Sequence, residues 1–136
     1  MLVVDASVLA TALADDGFDG ETARGRLLAQ QLAAPELIDL EVASVLRRQL
    51  SLATIDVRRA QLALGDLFDL PILRAPHRPL LGRCWELRHN LSVYDAAYVA
   101  LAEALDTPLL TADARLAKAP GLECTVELLN VAPRRR

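Results

Sequence analysis

The sequence predicts an α/β sandwich, with a mostly parallel central sheet and helices on both of its faces. Three observations carry that prediction. Apolar runs of strand length alternate with stretches of helix length along the whole chain, the pattern of a layered α/β domain. The first run, Met1–Val4, is continuous rather than alternating, as a parallel strand buried on both faces requires. Leu91–Asp113 then holds a capped helix, a breaker and a short apolar strand in immediate succession. Ser92 with Asp95 three places on forms an S-x-x-D capping pattern. Val93, Ala97, Ala100, Leu101 and Ala104 follow on one helical face.

The other elements follow in order. Ala6–Ala14 reads as a helix closed by Asp15-Asp16-Gly17, and Asp19-Gly20 leads into a second helix reaching about Gln31. Leu32–Ala34 is a short strand, with Pro35 placed to open the next helix, Glu36–Gln49. A further helix starts at Thr54 or Asp56 and runs to about Phe68. Leu70–Leu73 is a strand whose Pro71 points to a sheet edge. Pro79–His89 is helical and precedes the Leu91–Asp113 unit, in which Asp106-Thr107-Pro108 stops the helix before Leu109-Leu110. Ala114–Ala117 makes a short helical turn, and Leu122–Val126 is the last strand. One domain over residues 1–132 and a basic tail over residues 133–136 account for the chain.

Composition narrows the function. A chain of 136 residues with 53% apolar content can bury roughly two thirds of its unfolded surface in one core. At 4% aromatic content that core is built from Leu, Val and Ala. Fifteen basic residues against eighteen acidic leave a net charge of −3, which argues against a dedicated duplex binder. All but one of those basic residues are Arg, the side chain that forks phosphate best. Cys84 and Cys124 have no metal-ligand spacing, so a reducing compartment is expected. No signal peptide or membrane span is read, and a cytoplasmic location is expected.

Four carboxylates then stand out. Asp5 follows the first strand and Asp113 follows the Leu109-Leu110 strand; Asp95 opens a helix. Glu41 has Leu37, Ile38, Ser44 and Val45 at helical spacing around it, so an acid lies on an apolar face. In a parallel sheet all four fall on the edge where α/β proteins bind ligands. Two carboxylates about 4 Å apart repel by roughly 4 kcal/mol at an effective dielectric near 20. Such a cluster needs proton sharing, a cation or a metal ion, and Mg²⁺ or Mn²⁺ suits an oxygen donor set. Three of the acids have a structural alternative, Asp5 as an N-cap, Asp95 as a capping-box acid and Asp113 as a helix N-terminal acid, whereas Glu41 on its apolar face is the hardest to dismiss. Ser7 and Thr111 could cap or could hold a carboxylate. His77, His89, Arg47-Arg48 and Arg58-Arg59 read as surface residues.

The stretches VVDASVL, PELIDLEVASVLRR and LSVYDAAYVALAEALDTPLLTADARLAK resemble the motifs of PIN-domain nucleases, nearest to the VapC toxins of toxin–antitoxin pairs. The resemblance spans nearly the whole chain and implies a PIN-like sandwich. It places the family's acidic quartet on Asp5, Glu41, Asp95 and Asp113 and its hydroxyls on Ser7 and Thr111, with metal held by Asp5, Asp95 and Asp113. It implies a Mg²⁺- or Mn²⁺-dependent endoribonuclease, homodimeric and inhibited by a VapB-type antitoxin. Single-stranded or looped RNA would be the substrate form. Glu41 would either complete the metal shell or orient the attacking water. Two other readings stay open: a phosphoacceptor signalling domain, whose chemistry wants a Lys ending a late strand although the only Lys, Lys118, falls in or just after a short helical turn, and a non-catalytic PIN-fold binding module.

Overall fold

A computed structural model of the chain describes residues 1–131. The expected tail, 133–136, and the last residue of the expected 1–132 domain lie outside the described residues. Five strands form one sheet: β1 (Leu2–Val4), β2 (Leu32–Pro35), β3 (Ile72–Ala75), β4 (Leu109–Thr111) and β5 (Val126–Leu128). Their spatial order is β3-β2-β1-β4-β5, and every pairing is parallel. The continuous apolar run is the central strand, with Leu2, Val3 and Val4 almost fully buried. The strand beside Pro71 is an edge strand, as its proline foretold.

The order reverses at β1, because the chain moves one way through β2 and β3 and the other way through β4 and β5. Right-handed crossovers therefore put α1 (Ala6–Ala14), α2 (Phe18–Leu27), α3 (Ile38–Ser51) and α4 (Val57–Asp69) on one face. They put α5 (Leu81–Glu86), α6 (Val93–Leu105) and α7 (Ala114–Ala117) on the other, with a 3-10 turn at Arg78–Leu80 before α5. The packing agrees: α1 touches α2, α3 and α4, while α6 lies between α5 and strands β1, β2 and β4. Between β1 and β4 lies the topological switch point, the usual ligand crevice of an open parallel sheet.

Two helices are buried on nearly every side, which explains their alanines. Ala96 through Ala102 are all buried in α6, whereas Val93 and Ala104, expected on its inner face, are exposed. In α1 the buried set is Ala6, Val8, Leu9, Ala10, Thr11, Ala12 and Ala14. Each fully buried Leu or Val contributes about 1.5–3 kcal/mol over leaving it in water. Gly20 lets α2 close on the end of α1, since a Cβ there would stand 1.8 Å from the Asp15 carbonyl oxygen. No helix of the described residues is long and apolar enough to cross a membrane.

Several boundaries differ from the sequence expectation. Pro35 ends β2 opposite Ala75 instead of opening a helix, because the parallel ladder continues past it through Glu36 N–H to the Ala75 carbonyl, 2.9 Å. The second helix stops at Leu27, and Ala29 turns the chain with φ 61°. The helical stretch expected over Pro79–His89 is the 3-10 turn followed by the short α5. The last strand lies at Val126–Leu128, where Leu109 and Thr111 of β4 pair with Val126 and Leu128. Asp39 of α3 pairs with Arg74 of β3, the shortest bond 2.8 Å. Arg59 likewise pairs with Asp16 at 2.9 Å and donates to the Leu13 carbonyl.

Candidate functional site

The site is built on the turns at the carboxyl ends of β1, β2 and β4 and on the N-terminus of α6. Asp5 leaves β1 and caps α1, its Oδ1 accepting from the Val8 N–H at 3.2 Å and from the Ser7 hydroxyl at 2.6 Å. Its Oδ2 accepts from the Thr111 hydroxyl at 2.5 Å. Both hydroxyls also accept from the turn after β4: Ser7 Oγ from the Ala112 N–H at 3.1 Å, and Thr111 Oγ1 from the Asp113 N–H at 3.0 Å. Two side chains thus bridge the β1 and β4 turns across the switch point. They hold Asp5 at 7% exposure with about three of its four acceptor directions used.

Asp113 caps α7 through Oδ1 to the Arg115 N–H, 2.9 Å, and meets the Arg115 guanidinium at 3.3 Å. Ser92 caps α6 by accepting from the Asp95 N–H at 3.1 Å, which puts the half-buried Asp95 side chain in the first turn. Glu41 reaches the same place from the first turn of α3. Half-buried as its apolar neighbours foretold, it accepts a hydrogen bond from the Tyr98 hydroxyl at 2.6 Å. Ser44, expected beside it on the apolar face, is exposed.

The carboxylates act on one another. Burial is the main cause that lifts Asp5 above the usual carboxylate range; Ser7, Thr111 and the Val8 N–H oppose it, and Asp95 adds to it. Glu41 is raised by burial, partly offset by Tyr98, and raised further by Asp95 and Asp5. Asp95 is raised by burial, opposed by Ser92 and Arg115, and pushed up by Asp113. Arg115 is the only basic side chain among the causes of those three shifts. The structure therefore brings Asp5, Glu41 and Asp95 into mutual electrostatic reach, and Asp113 joins them through Asp95 and the hydroxyl bridges.

The donor set fits a hard divalent ion held in an open way. Among the described residues no group of three or more His, Cys, Asp or Glu side chains is arranged as a ready metal cage. Mg²⁺ does not ask for one, because it keeps several waters and takes only one or two carboxylates directly. Elsewhere, His77 is exposed and its Nε2 accepts from the Leu37 N–H at 2.9 Å, so it braces the entry to α3. His89 and Arg47-Arg48 are exposed, as expected. Lys118 is an exposed C-cap of α7 and ends no strand, which leaves the phosphoacceptor reading without its lysine.

Residues 2–122 match the family described as PIN domain. The chain is 48% identical over 129 residues to ribonuclease VapC1 of Mycobacterium tuberculosis, covering 94% of this chain and 97% of that protein. The chain belongs to the PIN-domain family, among the VapC ribonucleases. Solved PIN-fold structures share the architecture. VapC20 of Mycobacterium tuberculosis, described as a sarcin-ricin loop cleaving toxin, superposes with a TM-score of 0.67 at 17% identity, over 86% of this chain and 93% of that one. VapBC2 from Rickettsia felis, solved with a DNA fragment from its promoter, gives 0.68 at 12% identity, over 95% of this chain and 98% of that one. At those identities the likeness is one of fold. Tyr98 and Arg115 touch the candidate acids Glu41 and Asp113, and sequence alone singled out neither. Tyr98 lies three places after Asp95, on the same helical face, and that spacing is the signal that could have found it.

Proposed function

We propose that this VapC ribonuclease is a Mg²⁺- or Mn²⁺-dependent endoribonuclease toxin that cuts single-stranded or looped RNA at the Asp5–Glu41–Asp95–Asp113 cluster. The observation that carries the reading is that Asp5, Glu41 and Asp95, raised by burial and by neighbouring carboxylates, gather at the switch point of a parallel sheet, with Asp113 beside Asp95. PIN-domain ribonucleases are typically metal-dependent, and the site chemistry suits that. Asp5, Asp95 and Asp113 would hold the ion, directly or through its waters. When bound, it supplies charge neutralisation at the phosphoryl oxygens and acidifies a coordinating water. Ser7 and Thr111 keep Asp5 in one rotamer. Glu41 orients the attacking water and takes its proton as the new P–O bond forms and the leaving oxygen departs. Tyr94, exposed and next to Asp95 in α6, offers a face on which an unpaired base can stack.

Incubating the protein with total RNA tests this directly. Cleavage is expected with Mn²⁺ or Mg²⁺ and none with chelator; intact RNA in all three would overturn it and favour a non-catalytic binding module.

We also propose that a VapB-type antitoxin inhibits the protein and that it is a homodimer. The strip expected to receive the antitoxin, Val8, Leu9, Ala12 and Leu13, is not free: the first three are buried under the neighbouring helices and Leu13 is half-buried. Phe18 of α2 and Phe68 of α4, by contrast, stand largely exposed on two of the three helices that pack against α1. A partner's apolar segment fits there, and a basic side chain from it would suit the acidic site of this −3 chain. Co-expression with the neighbouring reading frame is expected to give a complex that Phe18→Arg disrupts without changing the far-ultraviolet circular dichroism. An unaffected complex would exclude this surface. Light scattering of the protein alone reads the dimer.

A further inference from the structure

We infer that Tyr98 is the positioning residue for Glu41, a role that rests on the catalytic reading of Glu41 above. Four of the five aromatic side chains, Phe18, Phe68, Trp85 and Tyr94, are exposed, and Tyr98 alone is inside, at 1% exposure. Its side chain is part of the buried core, so its hydroxyl has little freedom to search for a partner. That hydroxyl is spent on one oxygen of one acid: it donates to Glu41 Oε1 at 2.6 Å across 57 residues of sequence. The bond joins α6 on one face of the sheet to α3 on the other, above the strand ends that carry Asp5 and Asp113.

A bare structural role does not explain this choice of partner. Satisfying a buried tyrosine hydroxyl needs only a neutral acceptor, such as a backbone carbonyl. Here the acceptor is a half-buried carboxylate within electrostatic reach of Asp95 and Asp5. The arrangement makes sense if Glu41 must stand in one place. A free Glu samples many rotamers, and ordering it in one costs conformational entropy. A donor fixed by its own burial removes that search. It engages Oε1 and leaves Oε2 to the water and the substrate. Misplacing a reacting group by about 1 Å can cost up to about a hundredfold in rate.

Tyr98→Phe keeps the ring and removes only the donor. Steady-state cleavage of a short RNA with Mn²⁺ is expected to show kcat lowered about ten- to a hundredfold, KM within about twofold, and unchanged far-ultraviolet circular dichroism. Glu41→Asp, which keeps the charge but withdraws it from the hydroxyl, is expected to lower kcat by a similar factor. Tyr98→Phe added to Glu41→Asp should then cost nothing further, because the two act as one unit. A proton spectrum gives a readout without turnover: the protected Tyr98 hydroxyl proton should vanish in Tyr98→Phe and shift in Glu41→Asp. Wild-type kcat in Tyr98→Phe, or losses that multiply in the double variant, would overturn the inference. If Glu41→Gln keeps full activity, it is the catalytic reading of Glu41 that fails; if that variant is dead and Tyr98→Phe is fully active, only the role of Tyr98 does.

Discussion

Glu41→Gln is expected to lower RNA cleavage by about a hundredfold to ten-thousandfold, the span that a positioned general base contributes. The substitution keeps the side chain's length and its place in the first turn of α3. The amide oxygen can still accept from the Tyr98 hydroxyl, so the link between the two helical layers survives. What is lost is the negative charge and the basicity. One charge fewer in a cluster that already repels itself should leave the melting temperature unchanged or slightly higher. The same group sets a pH limit. Glu41, Asp5 and Asp95 all sit above the usual carboxylate range, so they begin to take up protons at a higher pH than surface acids do. Activity of the wild type should accordingly fall as pH drops, starting above the normal carboxylate range. Cleavage of total RNA by the variant, with circular dichroism to confirm the fold, decides the first point; cleavage at the wild-type rate would remove Glu41 from the site.

Asp95→Asn is expected to stabilise the metal-free protein, by about 1 kcal/mol after screening, or roughly 3–5 °C in melting temperature. Asp95 is held near Asp113 in a partly buried place, with burial the larger cost. A carboxyl whose pKa is raised by folding favours the folded state fully only below its unfolded value. That contribution disappears as pH rises through the folded value, so near neutral pH the charged Asp95 works against folding. Metal-free wild type should therefore gain stability on mild acidification toward the upper carboxylate range, and Asp95→Asn should gain less. Mn²⁺ should raise the melting temperature of the wild type by mass action and do much less for the variant. The Ser92 cap does not depend on this carboxylate, because the Ser92 hydroxyl accepts from the backbone N–H of residue 95. If the carboxylate served only the helix dipole, its loss would cost a few tenths of a kcal/mol and Mn²⁺ would treat both proteins alike. Melts of both proteins in chelator and in Mn²⁺ separate the two cases.

Much of the candidate site was legible because its signals are local. Asp5 and Asp113 end short apolar runs and begin helices, Ser92 and Asp95 form a capping pattern, and Glu41 is an acid amid Leu37, Ile38 and Val45. Each of those features lies within one turn of helix or one step off a strand. The central place of β1 was equally plain from an apolar run without alternation. The functional and capping readings of Asp5 and Asp113 also proved not to compete, since each side chain caps a helix while standing at the switch point.

Sequence by itself determined the parallel α/β architecture, the family and the turns that carry the acids, because strand, helix and cap signals act between near neighbours. Tertiary structure alone decided which long-range partners those turns meet. Tyr98 to Glu41 spans 57 residues, Arg59 to Asp16 spans 43 and Arg74 to Asp39 spans 35, and no helical or strand period encodes such pairs. The same holds for the extent of burial: a periodicity shows that α1 has an apolar strip, but not that three helices lie against it. Pro35 and Leu128 joined strands because the ladders of β3 and β4 extended to them, a bond supplied by a neighbour and not by the residue's own propensity.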